Sequence, residues 1–208
     1  MRNNTDVRNM LKDAGILFAI TLIAGLLLGF VYELTKEPIA AQEVRAIVEA
    51  CREVFTDAVE FTPLEVNLDE DLLQELSDMK VAIGTIYDAK DGSGNHLGYV
   101  LQTTSKAGYS GNITLYMGVR EDGILNGISL LDISETSGLG MQAEKVLVPQ
   151  YLNKKVDFFT YTKTGSRSDS EIDAISGATI TTKAVNNAVN GGLKVVSEAL
   201  LEGGAANE

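Results

Sequence analysis

The sequence predicts an α+β protein: one N-terminal membrane-spanning helix, then a single domain of antiparallel β-hairpins flanked by helices. Three observations lead there. Residues 14–32 are apolar and carry no charge. Four β-rich runs between Val81 and Ile133 are joined in pairs by turn sequences containing glycine. Apolar residues recur at helical spacing on either side of those runs.

The anchor comes first. Residues 14–32 read AGILFAITLIAGLLLGFVY. At about 1.5 Å per residue they span roughly 28 Å, close to the hydrocarbon thickness of a bilayer. No small-residue cleavage site and no lipobox cysteine follows, so the segment reads as an uncleaved signal anchor. Arg2, Arg8 and Lys12 precede it and only Lys36 lies close behind it. The positive-inside rule therefore puts the N-terminus in the cytoplasm and everything after residue 33 outside. Gly25 and Gly29 form a GxxxG pair that suits close packing against another membrane helix, although glycine is common in such helices anyway.

Residues 38–55 are next. Val44, Ile47, Val48, Cys51, Val54 and Phe55 fall on one helical face, which makes Cys51 a buried core residue rather than a reactive thiol. Residues 70–79 form an acidic helix. The runs 81–89 and 97–104 flank Asp91-Gly92-Ser93-Gly94-Asn95, a hairpin turn that also brings in His96. The runs 112–120 and 124–133 flank Glu121-Asp122-Gly123, a second hairpin. A short helix is expected over 141–151, a strand within 156–163 and a polar loop over 164–170. The last helix is expected from Thr181 to about Leu201. Gly191-Gly192 inside it disfavours helix by roughly 1 kcal/mol per glycine and suggests a kink or a restart.

Composition excludes several classes of function. The formal net charge is -12 over 208 residues. A nucleic-acid partner calls for a basic footprint, and anionic lipid head groups repel an acidic surface. One cysteine and one histidine leave no disulfide, no thiolate metal site and no cysteine-held iron–sulfur cluster. A Ser-His-Asp hydrolase built on His96 has no nucleophile-elbow motif to support it. No GxGxxG follows a strand, so no nicotinamide site is visible.

Three segments carry candidate chemistry. The most informative is Asp173-Ala174-Ile175-Ser176-Gly177-Ala178-Thr179-Ile180-Thr181-Thr182, at the mouth of the last helix. Free N–H groups and the positive end of the helix dipole suit a phosphate there, and the Thr179 hydroxyl could hold one as an ester. An ordinary Ser/Thr helix cap explains the same residues without a ligand. The second segment is Gly108-Tyr109-Ser110-Gly111, where glycines permit close approach of a planar ligand and Tyr109 could pack on a ring. The third is Glu135-Thr136-Ser137-Gly138-Leu139-Gly140, whose N–H and O–H donors suit the polar edge of a heterocycle.

In this order, behind one N-terminal span, the three segments resemble the FMN-binding domain family. Within it they look like the G subunits of Rnf ion-translocating electron-transport complexes, which are related to the C subunits of sodium-pumping NADH:quinone reductases. The resemblance covers about 81–200 plus the anchor. Where the family usually has proline, this chain has Ser137, which loosens that loop.

The resemblance implies that Thr179 carries FMN through a phosphoester made by a separate flavin transferase. Asp173, Ser176, Gly177 and Ala178 would form the motif that the transferase reads, and Thr182 would add a hydroxyl for the phosphate. Tyr109, Ser110, Glu135, Thr136, Gly138 and Leu139 would wall the flavin ring. It also implies a redox subunit of a membrane complex, without a complete active site of its own, whose partners are the other membrane and redox subunits. The chain would then divide into a cytoplasmic N-terminus (1–13), a transmembrane helix (14–32), a helical connecting region (33–80), the FMN-binding domain (81–201) and a flexible tail (202–208). Two alternatives remain: a C subunit of the quinone reductase, favoured less because those chains are generally longer, and an anchored extracytoplasmic binding or assembly protein without flavin.

Overall fold

The computed structural model describes residues 4–201, and the expected tail over 202–208 lies outside them. The chain forms two compact units, Met1–Arg45 and Ala46–Glu208.

In the first unit the chain is α-helical from Asn4 as part of helix α1, Asn4–Val54. Its apolar side chains, Leu17, Phe18, Leu26 and Phe30 among them, are exposed. The helix is long and apolar enough to cross a membrane. Thr21 donates its hydroxyl to the carbonyls of Leu17 and Phe18 at 3.0 Å, so its polar group is satisfied within the helix, as a lipid environment demands. A separate helix starting at Pro38 is expected from the sequence, yet α1 runs through Pro38 without a break. A proline removes only one backbone donor, and at this exposed position water can satisfy the acceptor it leaves.

The second unit is built on a five-stranded antiparallel meander in the order β1-β2-β3-β4-β5. The strands are β1 (Glu60–Leu64), β2 (Val81–Lys90), β3 (His96–Ser105), β4 (Ile113–Arg120) and β5 (Leu125–Ile133). Both expected hairpins, β2–β3 and β4–β5, are present. Strand side chains alternate between two cores. On one face Val100 and Tyr116 meet Ala50, Cys51 and Val54 from the end of α1, with Phe55 and Ala58. On the other, Leu101, Leu115 and Met117 meet Leu72 and Leu76 of α2 (Glu70–Asp78) and Ala184, Val185, Ala188 and Val189 of α4 (Thr179–Val195). Asp69 caps α2, its carboxylate accepting from the Leu72 N–H at 2.7 Å. The expected connecting region over 33–80 thus supplies an edge strand and part of both cores.

Several elements differ from expectation. β1 is new, and Pro63 within it explains both its weak signal and its place at the sheet edge. The helix expected over 141–151 is broken into a 3₁₀ turn (Gly140–Gln142), the one-turn α3 (Ala143–Val146) and a second 3₁₀ turn (Val148–Tyr151). Pro149 removes an N–H and disfavours helical geometry at Val148. The strand within 156–163 shrinks to β6 (Thr160–Thr162), which pairs in parallel with an unanticipated β7 (Glu171–Asp173). His96 lies just past the hairpin turn. It opens β3, with Nδ1 hydrogen-bonded to Asp88 and its ring 4.7 Å from that of Tyr99.

Helix α4 starts two residues earlier than expected and does not break at Gly191-Gly192. A Cβ at 191 would sit 2.9 Å from Val81 Cγ1, and one at 192 only 2.1 Å from Met117 Sδ. The pair lets α4 lie against the sheet. The irregularity comes later, as a π-helical turn over Val196–Leu201.

Candidate functional site

The loop from β3 to β4, the loop after β5 and the entry to α4 meet around one open cleft of about 440 Å³, within the range of small-molecule sites. Its walls are Tyr109 from the first segment, Glu135, Thr136, Leu139 and Gly140 from the second, and residues 177–181 from the third. Three segments far apart in sequence, each singled out for its residue types, therefore form a single site.

Glu135 holds them together. It is 8% exposed, and its carboxylate reaches both other segments. Oε1 accepts from the backbone N–H of Tyr109 at 2.8 Å and of Ser110 at 3.2 Å. Oε2 accepts from the Thr181 hydroxyl at 2.8 Å. The approach requires glycine on two sides. A Cβ at Gly108 would fall 2.2 Å from the Gly111 carbonyl oxygen and 2.8 Å from Glu135 Oε1, and one at Gly140 would fall 2.6 Å from Thr181 Oγ1 and 2.7 Å from Glu135 Cβ.

The entry to α4 is shaped by two local devices. Gly177 adopts φ +77°, in the left-handed region that glycine tolerates. Thr182 is fully buried; its hydroxyl accepts from the Ile175 N–H and donates to the Ala178 carbonyl, both at 3.0 Å. Thr182 thus closes the turn over 175–178, and its hydroxyl does not face the cleft. Thr179 and Thr181, by contrast, line the cleft.

Thr179 is the first residue of α4, half-buried on the cleft wall. Among the described residues its hydroxyl has no hydrogen-bond partner. The helix-cap alternative fails on geometry: the N-cap is Ala178, and no side chain caps α4. The first N–H groups of the helix have no acceptor within it. An unpaired hydroxyl, among the described residues, and a set of backbone donors thus stand together on the cleft wall.

The other expected site residues take supporting positions. Ser176 and Gly138 are exposed and outside the lining. Ser110 contributes its backbone N–H to Glu135. Asp173 ends β7, its main chain paired to the Gln150 side chain through N–H at 2.7 Å and C=O at 3.1 Å. Tyr109, 68% exposed, and Ile180, 51% exposed, both line the cleft. Ile180 and Thr181 are cleft residues that sequence reasoning missed. The signal was the helix start, which decides which of three consecutive hydroxyl and apolar side chains faces the site.

Residues 108–194, which contain every residue lining the cleft, match the FMN-binding domain. Fold and site together define an FMN-binding-domain protein with an N-terminal apolar helix. Residues 1–54 match the RnfG N-terminal region. The G subunit of the Na(+)-translocating ferredoxin:NAD(+) oxidoreductase complex of Acetobacterium woodii is 31% identical over 193 residues, covering 91% of this chain and 93% of that one. The G subunit of the proton-translocating ferredoxin:NAD(+) oxidoreductase complex of Clostridium ljungdahlii is 32% identical over 194 residues, covering 89% and 95%. Among solved structures, NqrC of Shewanella oneidensis aligns with a TM-score of 0.46 at 19% identity, over 67% of this chain and 80% of that one. The chain belongs to the family of G subunits of Rnf-type ion-translocating oxidoreductase complexes.

Proposed function

We propose that this chain is a membrane-anchored electron carrier that holds FMN covalently on Thr179, as the G subunit of an Rnf-type complex coupling ferredoxin:NAD electron transfer to ion translocation. The observation that carries the proposal is the Thr179 hydroxyl, without a hydrogen-bond partner among the described residues, at the first position of α4 on a cleft within the FMN-binding domain. The relatives' printed names supply the reaction of the complex.

The residues present suit the group. Thr179 offers the oxygen for a phosphoester, and the first turn of α4 offers backbone donors and a positive dipole end to the phosphate. Gly108 and Gly140 let the loops that carry Tyr109 and Leu139 close onto Glu135, where any side chain would meet protein atoms. Tyr109, Leu139 and Ile180 give apolar surface for a planar ring. A separate flavin transferase would make the bond with FAD as donor: Thr179 Oγ1 would join the flavin-side phosphorus, the pyrophosphate bond would break, and AMP would leave, with the hydroxyl proton released. FMN, when bound, supplies the redox chemistry, passing electrons one at a time. The chain positions it, and a covalent tether keeps it where free FMN is scarce. The positive residues before the span support an N-terminus in the cytoplasm and a domain outside.

The test is co-expression of the full chain with a flavin transferase, followed by a denaturing gel under ultraviolet light. Wild type gives a fluorescent band at the mass of the chain, and Thr179→Val gives none while remaining folded. A dark wild-type band would overturn the proposal. Protease added outside spheroplasts trims the domain in the proposed orientation; full protection would invert it.

A further inference from the structure

Glu135 poses a question that its hydrogen bonds do not answer. Every donor it meets is neutral: two backbone N–H groups and one hydroxyl. Among the described residues no lysine, arginine or histidine pairs with it. Burying a carboxylate without a counter-ion is unfavourable. A glutamine would hold the same segments together: its carbonyl oxygen can accept from Tyr109 and Ser110, and its amide can donate to a Thr181 hydroxyl turned to accept. The clamp needs the shape of this side chain but not its charge.

The charge, however, faces the cleft. Glu135 lines it together with Thr179 and Tyr109, and the surrounding protein screens the carboxylate far less than water would. We propose that the negative charge of Glu135 sets the reduction potential of the electron-carrying group held in this cleft, making that group a stronger reductant than the same site would with a neutral clamp. This rests on the proposed function. Uptake of one electron from a reduced one-electron donor adds one negative charge beside Glu135. The carboxylate opposes that charge and favours passing the electron on. Glu135 is thus a positioning residue with an electrostatic task.

The experiment is a redox titration of the full-length flavin-loaded protein in detergent, comparing wild type with Glu135→Gln and Glu135→Asp. Gel fluorescence reports loading separately from potential. If charge is the determinant, Glu135→Gln loads flavin and shifts the one-electron reduction equilibrium at least tenfold toward the reduced form, about 59 mV for a one-electron couple. Glu135→Asp keeps the charge and stays close to wild type. If shape alone matters, the order reverses: the shorter Asp perturbs the site and Gln does not. An unchanged potential in loaded Glu135→Gln overturns the proposal and leaves the flavin reading intact; absence of flavin in wild type overturns both. Should Glu135→Gln fail to load, Thr136→Lys places a cation on the exposed cleft wall beside Glu135. It must raise the potential in the same sense, and an unchanged value there also overturns the proposal.

Discussion

The hydroxyl of Thr181 donates to Glu135 Oε2 at 2.8 Å across 46 residues of sequence, and both side chains are buried. This bond joins the loop after β5 to the first turn of α4. Thr181→Val removes the donor, keeps the volume and leaves a buried carboxylate oxygen unpaired. A loss of about 1–3 kcal/mol in unfolding free energy is expected, read by denaturant titration of the domain. Thr182→Val breaks two bonds in the adjacent turn and destabilises by a comparable amount. The two variants separate in flavin loading. Thr182→Val frees the turn over 175–178, which presents Thr179, and loses more of it.

Gly108→Ala tests the first wall. The added Cβ would lie 2.2 Å from a backbone oxygen and 2.8 Å from Glu135 Oε1, and a main-chain atom cannot rotate away. The loop must move, and the Tyr109 and Ser110 N–H bonds to Glu135 lengthen with it. We expect the sheet to survive, with unchanged far-ultraviolet circular dichroism, while flavin loading falls at least tenfold. Full loading would show that the close approach at Gly108 is dispensable.

How much of this was legible follows from the range of each signal. The hairpins β2–β3 and β4–β5 were readable because Asp91–Asn95 and Glu121–Gly123 mark their turns locally. β1 was not: Pro63 weakens its pattern, and its partner β2 lies beyond α2. The parallel pair β6–β7 consists of three-residue strands, too short for a period to show. At the site, the three segments could be named from residue types alone, but their convergence depends on Glu135, whose partners lie 25 to 46 residues away. Thr182 was named from the family resemblance, and residue type alone does not separate it from its neighbour Thr181. With α4 starting at Thr179, the sheltered hydroxyl belongs to Thr182 and the one on the cleft to Thr181.

Cys51 offers a readout of the small core. It is 1% exposed, and burial pushes its thiol up to about 11 from an ordinary value of 9.0. The thiolate is the nucleophile, so at pH 8 only about one molecule in a thousand is reactive even before access is considered. Iodoacetamide at pH 8 is expected to leave the folded protein unlabelled and to label it after denaturation. The sign for stability follows. The folded state holds the thiol proton more tightly, so this contribution is complete below pH 9 and is lost as the pH rises toward 11. Cys51→Ala removes that alkaline slope.

Asn186 and Asn190 lie one turn apart on the buried face of α4, and both bond the main chain at Phe159. Asn186 Nδ2 donates to the Phe159 carbonyl at 2.8 Å, and its Oδ1 accepts from the Tyr151 hydroxyl at 3.1 Å. Asn190 Nδ2 donates to the same carbonyl at 2.9 Å, and its Oδ1 accepts from the Phe159 N–H at 2.8 Å. The carbonyl therefore has two donors and the N–H one acceptor. Loss of Asn190 orphans the N–H, whereas loss of Asn186 leaves the carbonyl still bonded and frees only a tyrosine hydroxyl. Burial already pushes the Tyr151 phenol well above its ordinary range, so that hydroxyl stays protonated. Asn190→Ala is thus expected to destabilise by about 1–3 kcal/mol, the penalty for a buried backbone donor without a partner. It should also speed amide exchange at Phe159, one residue before β6. Asn186→Ala should leave that exchange nearly unchanged. Equal exchange at Phe159 in the two variants would contradict this division of labour along α4.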